Sequence, residues 1–146
     1  MVNLKLRRAT AEDREFAFQT KKAGFREYAE RVWGWDKTEQ RRLHDRRFPE
    51  QKFQVIEWSG IDVGVLATVR DTECIKINQL FIQPEYQGRG IGGECMRLVL
   101  EEADRLGLPV RLQVLKVNPR AQAFYRRLGF VCTGETDTHV QLERCD

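Results

Sequence analysis

The sequence predicts an α+β fold built on a mixed sheet, with elements in the order βααβββαβαββ. Three observations carry this. Residues 52–58, 63–70 and 74–82 read as strands separated only by the turns Ser59-Gly60 and Asp71-Thr72-Glu73, the pattern of an antiparallel meander. Residues 90–106 and the stretch after Asn118 place apolar side chains at helical spacing. Single strands stand before, between and after these blocks.

Taken in order, residues 3–8 alternate with Leu4 and Leu6 on one face, a first strand. Thr10-Ala11-Glu12-Asp13 resembles a capping box with Asp in place of Glu. A helix follows to about Glu30 or Val32, with Phe25, Tyr28, Ala29 and Val32 at i, i+3, i+4, i+7 and Gly24 weakening its middle. Trp33-Gly34-Trp35 breaks the pattern. Asp36 opens a second helix that ends before Pro49.

In the third meander strand the apolar phase slips. Ile75 and Ile77 share one face, Leu80 and Ile82 the other, so a β-bulge is expected near residues 79–81, splaying the strand from its neighbour. The helix at 90–106 carries Ile91, Cys95, Leu98, Glu102 and Leu106 at helical spacing and closes at Gly107. Residues 110–117 form a strand with Val110, Leu112 and Val114 on one face. Asn118-Pro119 then reads as an N-cap with Pro at the first helical position. Ala121, Phe124, Tyr125 and Leu128 form that helix's apolar stripe, and Gly129 ends it. Residues 130–133 and 139–144 are the last strands.

The chain has 146 residues, 41% hydrophobic and 32% charged, which suits one soluble domain spanning residues 1–146. No apolar run reaches the roughly 20 residues that cross a bilayer, and residues 1–10 hold no apolar signal core, so a cytoplasmic place and no membrane partner are expected. Cys74, Cys95, Cys132 and Cys145 form no CxxC pair and have only His44 and His139 to help them; four reduced thiols, mostly core filler, and no metal are expected. Residues 1–53 carry 14 Lys and Arg against 9 Asp and Glu. Arg41, Arg42, Arg46 and Arg47 cluster on one side of the second helix, where a solvated face is a plainer reading than a nucleic-acid patch.

Residues 80–93 read as a strand end, a Pro-punctuated loop, a glycine-rich turn and a helix start. Glycines allow close backbone approach, and the free amides of a helix start favour an anion, so a phosphate or pyrophosphate site is expected. Three nucleotide motifs can be compared. No Gly-Lys-Ser/Thr occurs, which removes the P-loop. Gly88, Gly90 and Gly93 match GxGxxG, but an antiparallel meander precedes them and the next strand ends in Lys116-Val117-Asn118 without the acidic partner of a dinucleotide site. Gln87, Gly90 and Gly92 meet Gln-x-x-Gly-x-Gly.

That third motif resembles the acetyl-CoA motif of the GCN5-related N-acetyltransferases, the GNAT superfamily. Residues 117–130, with Asn118, Ala121, Phe124, Tyr125 and Leu128-Gly129-Phe130, look like the family's second signature. The resemblance covers residues 74–133 in motif and the earlier chain in element order. It implies a mainly antiparallel central sheet with a splayed, bulged strand and helices on both faces. It implies acetyl-CoA as co-substrate: backbone groups of Leu80, Phe81 and Ile82 for the pantetheine arm, the amides of Gln87, Gly88, Arg89, Gly90, Ile91 and Gly92 for the pyrophosphate, Asn118 on the pantetheine side, and Tyr125 beside the thioester sulfur as acid. An N-acetyltransferase acting on a primary amine of a small molecule or peptide, by direct attack in a ternary complex, is the expectation; a homodimer is allowed.

Each position also has a structural reading. Tyr125 fits a core stripe and Asn118 a helix cap. On the acceptor side Tyr28, Trp33, Trp35 and Asn78 are the candidates, with Glu27, Glu30 and Asp36 nearby; an aromatic wall with carboxylates suits a cationic amine. No general base is legible. The alternative is a non-catalytic acyl-CoA-binding module that engages a nucleic acid or protein through the basic helix.

Overall fold

The structure is a computed structural model that describes residues 3–49 and 52–145. Seven strands form one sheet in the order β1-β2-β3-β4-β5-β7-β6. They are β1 (Leu4–Arg8), β2 (Phe53–Trp58), β3 (Ile61–Arg70), β4 (Ile75–Ile82), β5 (Val110–Leu115), β6 (Val131–Glu135) and β7 (His139–Arg144). Every pairing is antiparallel except β4 with β5. The helices are α1 (Arg14–Val32), α2 (Lys37–Arg47), α3 (Ile91–Leu106) and α4 (Pro119–Arg127), so the expected order βααβββαβαββ holds.

The sheet has a core on each face because β3 alternates. Leu66 packs with Ile56, Ile75 and Ile77 against Met96, Val99 and Leu100 of α3. Val65 and Ala67 point the other way, toward Ala17 of α1 and Phe48. A fully buried aliphatic side chain contributes roughly 1.5–3 kcal/mol, so these strips hold the helices far more strongly than local propensity does. The buried strip of α3 is Ile91, Cys95, Met96, Val99, Leu100 and Ala103. It is rotated from the expected one: Leu98 is half-buried and Leu106 is exposed. The apolar residues lie on one broad arc with Glu94, Arg97, Glu101, Asp104 and Arg105 opposite, and the expected strip follows the edge of that arc through Glu102 while the middle of it is buried.

The β-bulge lies one residue earlier than expected. Ala67 faces Gln79 and Thr68 faces Ile77, so Asn78 is the extra residue. The insertion restores the phase: Leu80 and Ile82 rejoin the α3 side, while Phe81 turns to the α1 side. Gly64 opposite Ile82 permits this approach, since a Cβ there would collide with the Phe81 carbonyl oxygen. Pairing of β4 with β5 stops at Ile77 and Leu112, although β4 runs on to Ile82 and β5 to Leu115. The two strands part there, as expected of a splayed strand.

Local chemistry sets the ends. Ser59 and Gly60, at φ 51 and 83, make the tight turn between β2 and β3. Asp36 caps α2 by accepting from the Glu39 N–H at 3.0 Å. Gly107, at φ 68, ends α3. Of the cysteines, Cys74 and Cys95 are buried as expected, but Cys132 and Cys145 are exposed. Cys132 lies on β6, a sheet edge among the described residues. No helix among the described residues is long and apolar enough to cross a membrane.

Asp13 ties the start of α1 to the sheet. Its carboxylate accepts from the Thr10 N–H at 2.7 Å and from both terminal nitrogens of Arg7 at 2.9 Å. The Arg7 guanidinium holds the Asp13 carboxyl below its ordinary value of 3.8. A depressed carboxyl stabilises the fold above its unfolded pKa and loses that contribution as pH falls through the folded value. Asp13→Asn is therefore expected to cost about 1 kcal/mol at neutral pH. Urea unfolding at pH 7 and pH 3 checks this, and the gap between the two proteins should narrow at pH 3.

Candidate functional site

The parting of β4 and β5 opens a cleft of ≈ 540 Å³. One wall is the outgoing half of β4, with Leu80, Phe81 and Ile82. The opposite wall is α4, with Phe124 and Tyr125, preceded by Asn118. Gly24 and Tyr28 of α1 reach in from the other face, and the glycine turn lies at one end. Gly24, a weak spot for helix propensity, is where α1 passes the Phe81 ring: a Cβ there would stand 3.0 Å from Phe81 Cδ1.

The turn is held as a preformed loop. A single 3₁₀ turn, Pro84–Tyr86, leads out of β4. The Gln87 side chain donates to the Ile82 carbonyl at 2.9 Å, closing the loop on the strand end. Gly88 and Gly90 both have positive φ, at 77 and 82, which only glycine adopts without strain. They turn the chain so that α3 starts at Ile91 with its first amides beside the cleft. A helix N-terminus carries about half a positive charge and unpaired donors, the electrostatics an anion needs.

Tyr125 is 8% exposed yet lines the cleft. Phe124 and Phe130 meet its ring edge-on at 5.0 and 5.5 Å. Burial pushes its phenol above the ordinary value of 10.0, so the hydroxyl stays protonated through the neutral range. Asn118 caps α4, its side-chain oxygen accepting from the Ala121 N–H at 3.0 Å, and also lines the cleft.

Most of the expected site thus converges on one cleft. Arg89 stays outside its lining, with its guanidinium 5.3 Å from the Tyr86 ring centroid. Among the acceptor-side candidates only Tyr28 lines it. Trp33 is 55% exposed and Trp35 is half-buried under Arg26, 6.0 Å from the ring centroid. Asn78 is the exposed bulge residue. The nearby carboxylates are engaged: Glu30 with Arg26 at 2.8 Å, Glu27 with Arg31 at 2.9 Å, and Asp36 in its cap. On α2, Arg41 and Arg42 are bound to Glu15 and Glu39. Among the described residues no cluster of His, Cys, Asp and Glu could hold a metal.

His139, which the sequence offered only as a possible metal ligand, stands outside the residues that line the cleft. A row of rings leads to it from the cleft: Phe81 to Phe25 at 6.1 Å, Phe25 to Trp33 at 6.5 Å, Trp33 to His139 at 6.0 Å. Its Nδ1 is 2.8 Å from the Thr138 hydroxyl, and burial holds the imidazole below its ordinary 6.5. It opposes Leu115, at the level where β5 has left β4. A lone His at a strand start carries no sequence signal; only strand pairing places it.

The capping role of Asn118 can be isolated. Asn118→Ala is expected to cost about 1 kcal/mol of stability by losing the cap. Asn118→Asp should keep the cap, so thermal unfolding of the two variants distinguishes capping from any further role of the amide.

Residues 14–130 match the model of the Acetyltransferase (GNAT) family. An uncharacterised N-acetyltransferase of Methanocaldococcus jannaschii is 35% identical over 89 residues, covering 56% of this chain and 39% of that protein. The spermidine N(1)-acetyltransferase of Escherichia coli is 30% identical over 103 residues, covering 64% and 50%. The chain thus spans half the length of these curated relatives or less. Among solved structures, the PaiA N-acetyltransferase of Thermoplasma acidophilum in complex with coenzyme A aligns with a TM-score of 0.78 at 14% identity, over 98% of this chain and 99% of that one. An acetyltransferase from Thermus thermophilus aligns with a TM-score of 0.76 at 19% identity, over 100% of both. The family match spans most of the chain, from the start of α1 through the end of α4, and on it this protein belongs to the GNAT acetyltransferase family.

Proposed function

We propose that the protein transfers an acetyl group from acetyl-CoA to a primary amine of a small molecule or peptide, both reactants being bound together. One observation carries this above the others: the parted β4 edge, the glycine turn and a buried phenol face a single cleft. The unpaired edge of Leu80, Phe81 and Ile82 suits the amides of the pantetheine arm. The amides of residues 87–92 suit the pyrophosphate. The relative named for spermidine supports an amine as acceptor class.

The chemistry asked of the chain is then modest. Holding the amine against the acetyl carbonyl supplies most of the acceleration. A free β4 amide beyond the bulge can donate to the carbonyl oxygen as it gains charge. The protonated Tyr125 hydroxyl can donate to the departing sulfur. His139, neutral at pH 7 but outside the residues that line the cleft, is the base proposed for the amine's proton. Lys116, whose N–H donates to the Thr138 carbonyl, is the neighbouring cation; its ammonium lies 3.1 Å from the Glu135 carboxylate.

Thiol release from acetyl-CoA across a panel of amines tests the activity. Tight acetyl-CoA binding with no turnover on any amine would favour the acyl-CoA-binding module instead. Tyr125→Phe is expected to lower kcat about a hundredfold with the acetyl-CoA Kd nearly unchanged; unchanged kcat removes the acid assignment. In the wild type the acid limb of kcat/KM should lie below pH 6.5, because a base with a lowered pKa is already neutral there. His139→Gln should abolish that limb, and a limb that persists in the variant removes His139 from the reaction.

A further inference from the structure

Two arginines of the cleft have no part in the roles above. Arg120 and Arg127 lie on α4 and both line the cleft. With Phe124 they are spaced i, i+4, i+7, so all three share one face of the helix. Phe124 presses against the start of α3: a Cβ on Gly92 would stand 3.6 Å from Phe124 Cζ. The two arginines therefore flank an aromatic ring that touches the anion-binding turn.

Their charge is uncompensated. Elsewhere Arg26, Arg31, Arg41, Arg42 and Arg111 each hold a carboxylate at 2.6–2.9 Å. Arg120 and Arg127 are exposed, and no ion pair involves them among the described residues. No Asp or Glu lines the cleft among the described residues. A cleft with two free guanidinium groups beside a phosphate-binding turn is built for more negative charge than a pyrophosphate alone brings to the turn.

Given that the cleft takes acetyl-CoA, the next anion along the carrier is the 3′-phosphate of its ribose, one sugar beyond the pyrophosphate. We propose that Arg120 and Arg127 receive this 3′-phosphate, with Phe124 between them as a surface for the adenine ring, so that the site selects coenzyme A over its 3′-dephospho form. The selectivity resides in the free carrier's binding and is independent of which amine accepts the acetyl group.

Isothermal titration of the full chain with coenzyme A and with 3′-dephospho-coenzyme A tests this. Wild type should bind coenzyme A roughly tenfold or more tightly than the dephospho form, the effect of losing charge-assisted hydrogen bonds to one phosphate. Arg120→Gln with Arg127→Gln should bring the two affinities together by weakening coenzyme A alone. Arg26→Gln, an arginine outside the cleft, should change neither. Equal affinity of wild type for the two ligands overturns the proposal, as does a double variant that weakens both in parallel. A wild type that binds neither ligand removes the carrier reading itself, a result distinct from equal binding, which leaves that reading in place.

Discussion

The structure turns on one extra residue. Asn78 has no opposite number on β3, and the strand changes phase there. On the near side Ile77 still pairs with Leu112 of β5; beyond it that pairing is gone. A strand edge left unpaired inside a domain is costly unless something satisfies its backbone groups. Here the unpaired half faces a cleft rather than packed side chains. The bulge thus does two jobs with one insertion: it opens the sheet and it keeps Leu80 and Ile82 in the α3-side core.

The surrounding elements accommodate that opening. Gly64 lets β3 follow β4 through the altered stretch, and Gly24 lets α1 lie against Phe81. Both glycines are costly by propensity, and both stand where a side chain would push β4 back or lift the helix off. The α1 end is fixed by Asp13 and Arg7, and α2 is fixed by a buried His44 whose Nε2 donates to the Arg14 carbonyl at 2.9 Å. His44 sits among Phe18, Phe48 and Phe53, and burial keeps it below its ordinary 6.5. These two helices are therefore anchored by groups remote from the cleft.

The electrostatics divide along the same line. On α1 and α2 most charges are used up in local pairs, each worth little at an exposed surface. Along the cleft no Asp or Glu stands among the lining residues, and the two arginines of α4 have no carboxylate partner among the described residues. Tyr125, by contrast, is kept neutral by burial. The cleft thus combines free cationic side chains with a neutral, aromatic one.

Much of this was legible in the chain itself. Turn and cap residues act through their own backbone, so Ser59-Gly60, Asp36, Gly107 and Asn118-Pro119 marked their elements correctly. The glycine turn and the 117–130 block were legible for the same reason: they are local. The phase slip in β4 announced a bulge, but alternation places the insertion only within a few residues, and cross-strand pairing put it on Asn78. The rotation of α3 was itself in the chain: its apolar residues lie on one broad arc, and the strip from Leu98 to Leu106 follows the edge of that arc rather than its middle. Tertiary structure alone decided the rest. It left Trp33 and Trp35 off the cleft, because the turn after α1 sends them outward and against Arg26. It brought His139 beside Trp33 and the Arg120–Phe124–Arg127 face onto the glycine turn, because contacts between distant segments depend on strand order and helix placement, which no short stretch of sequence encodes.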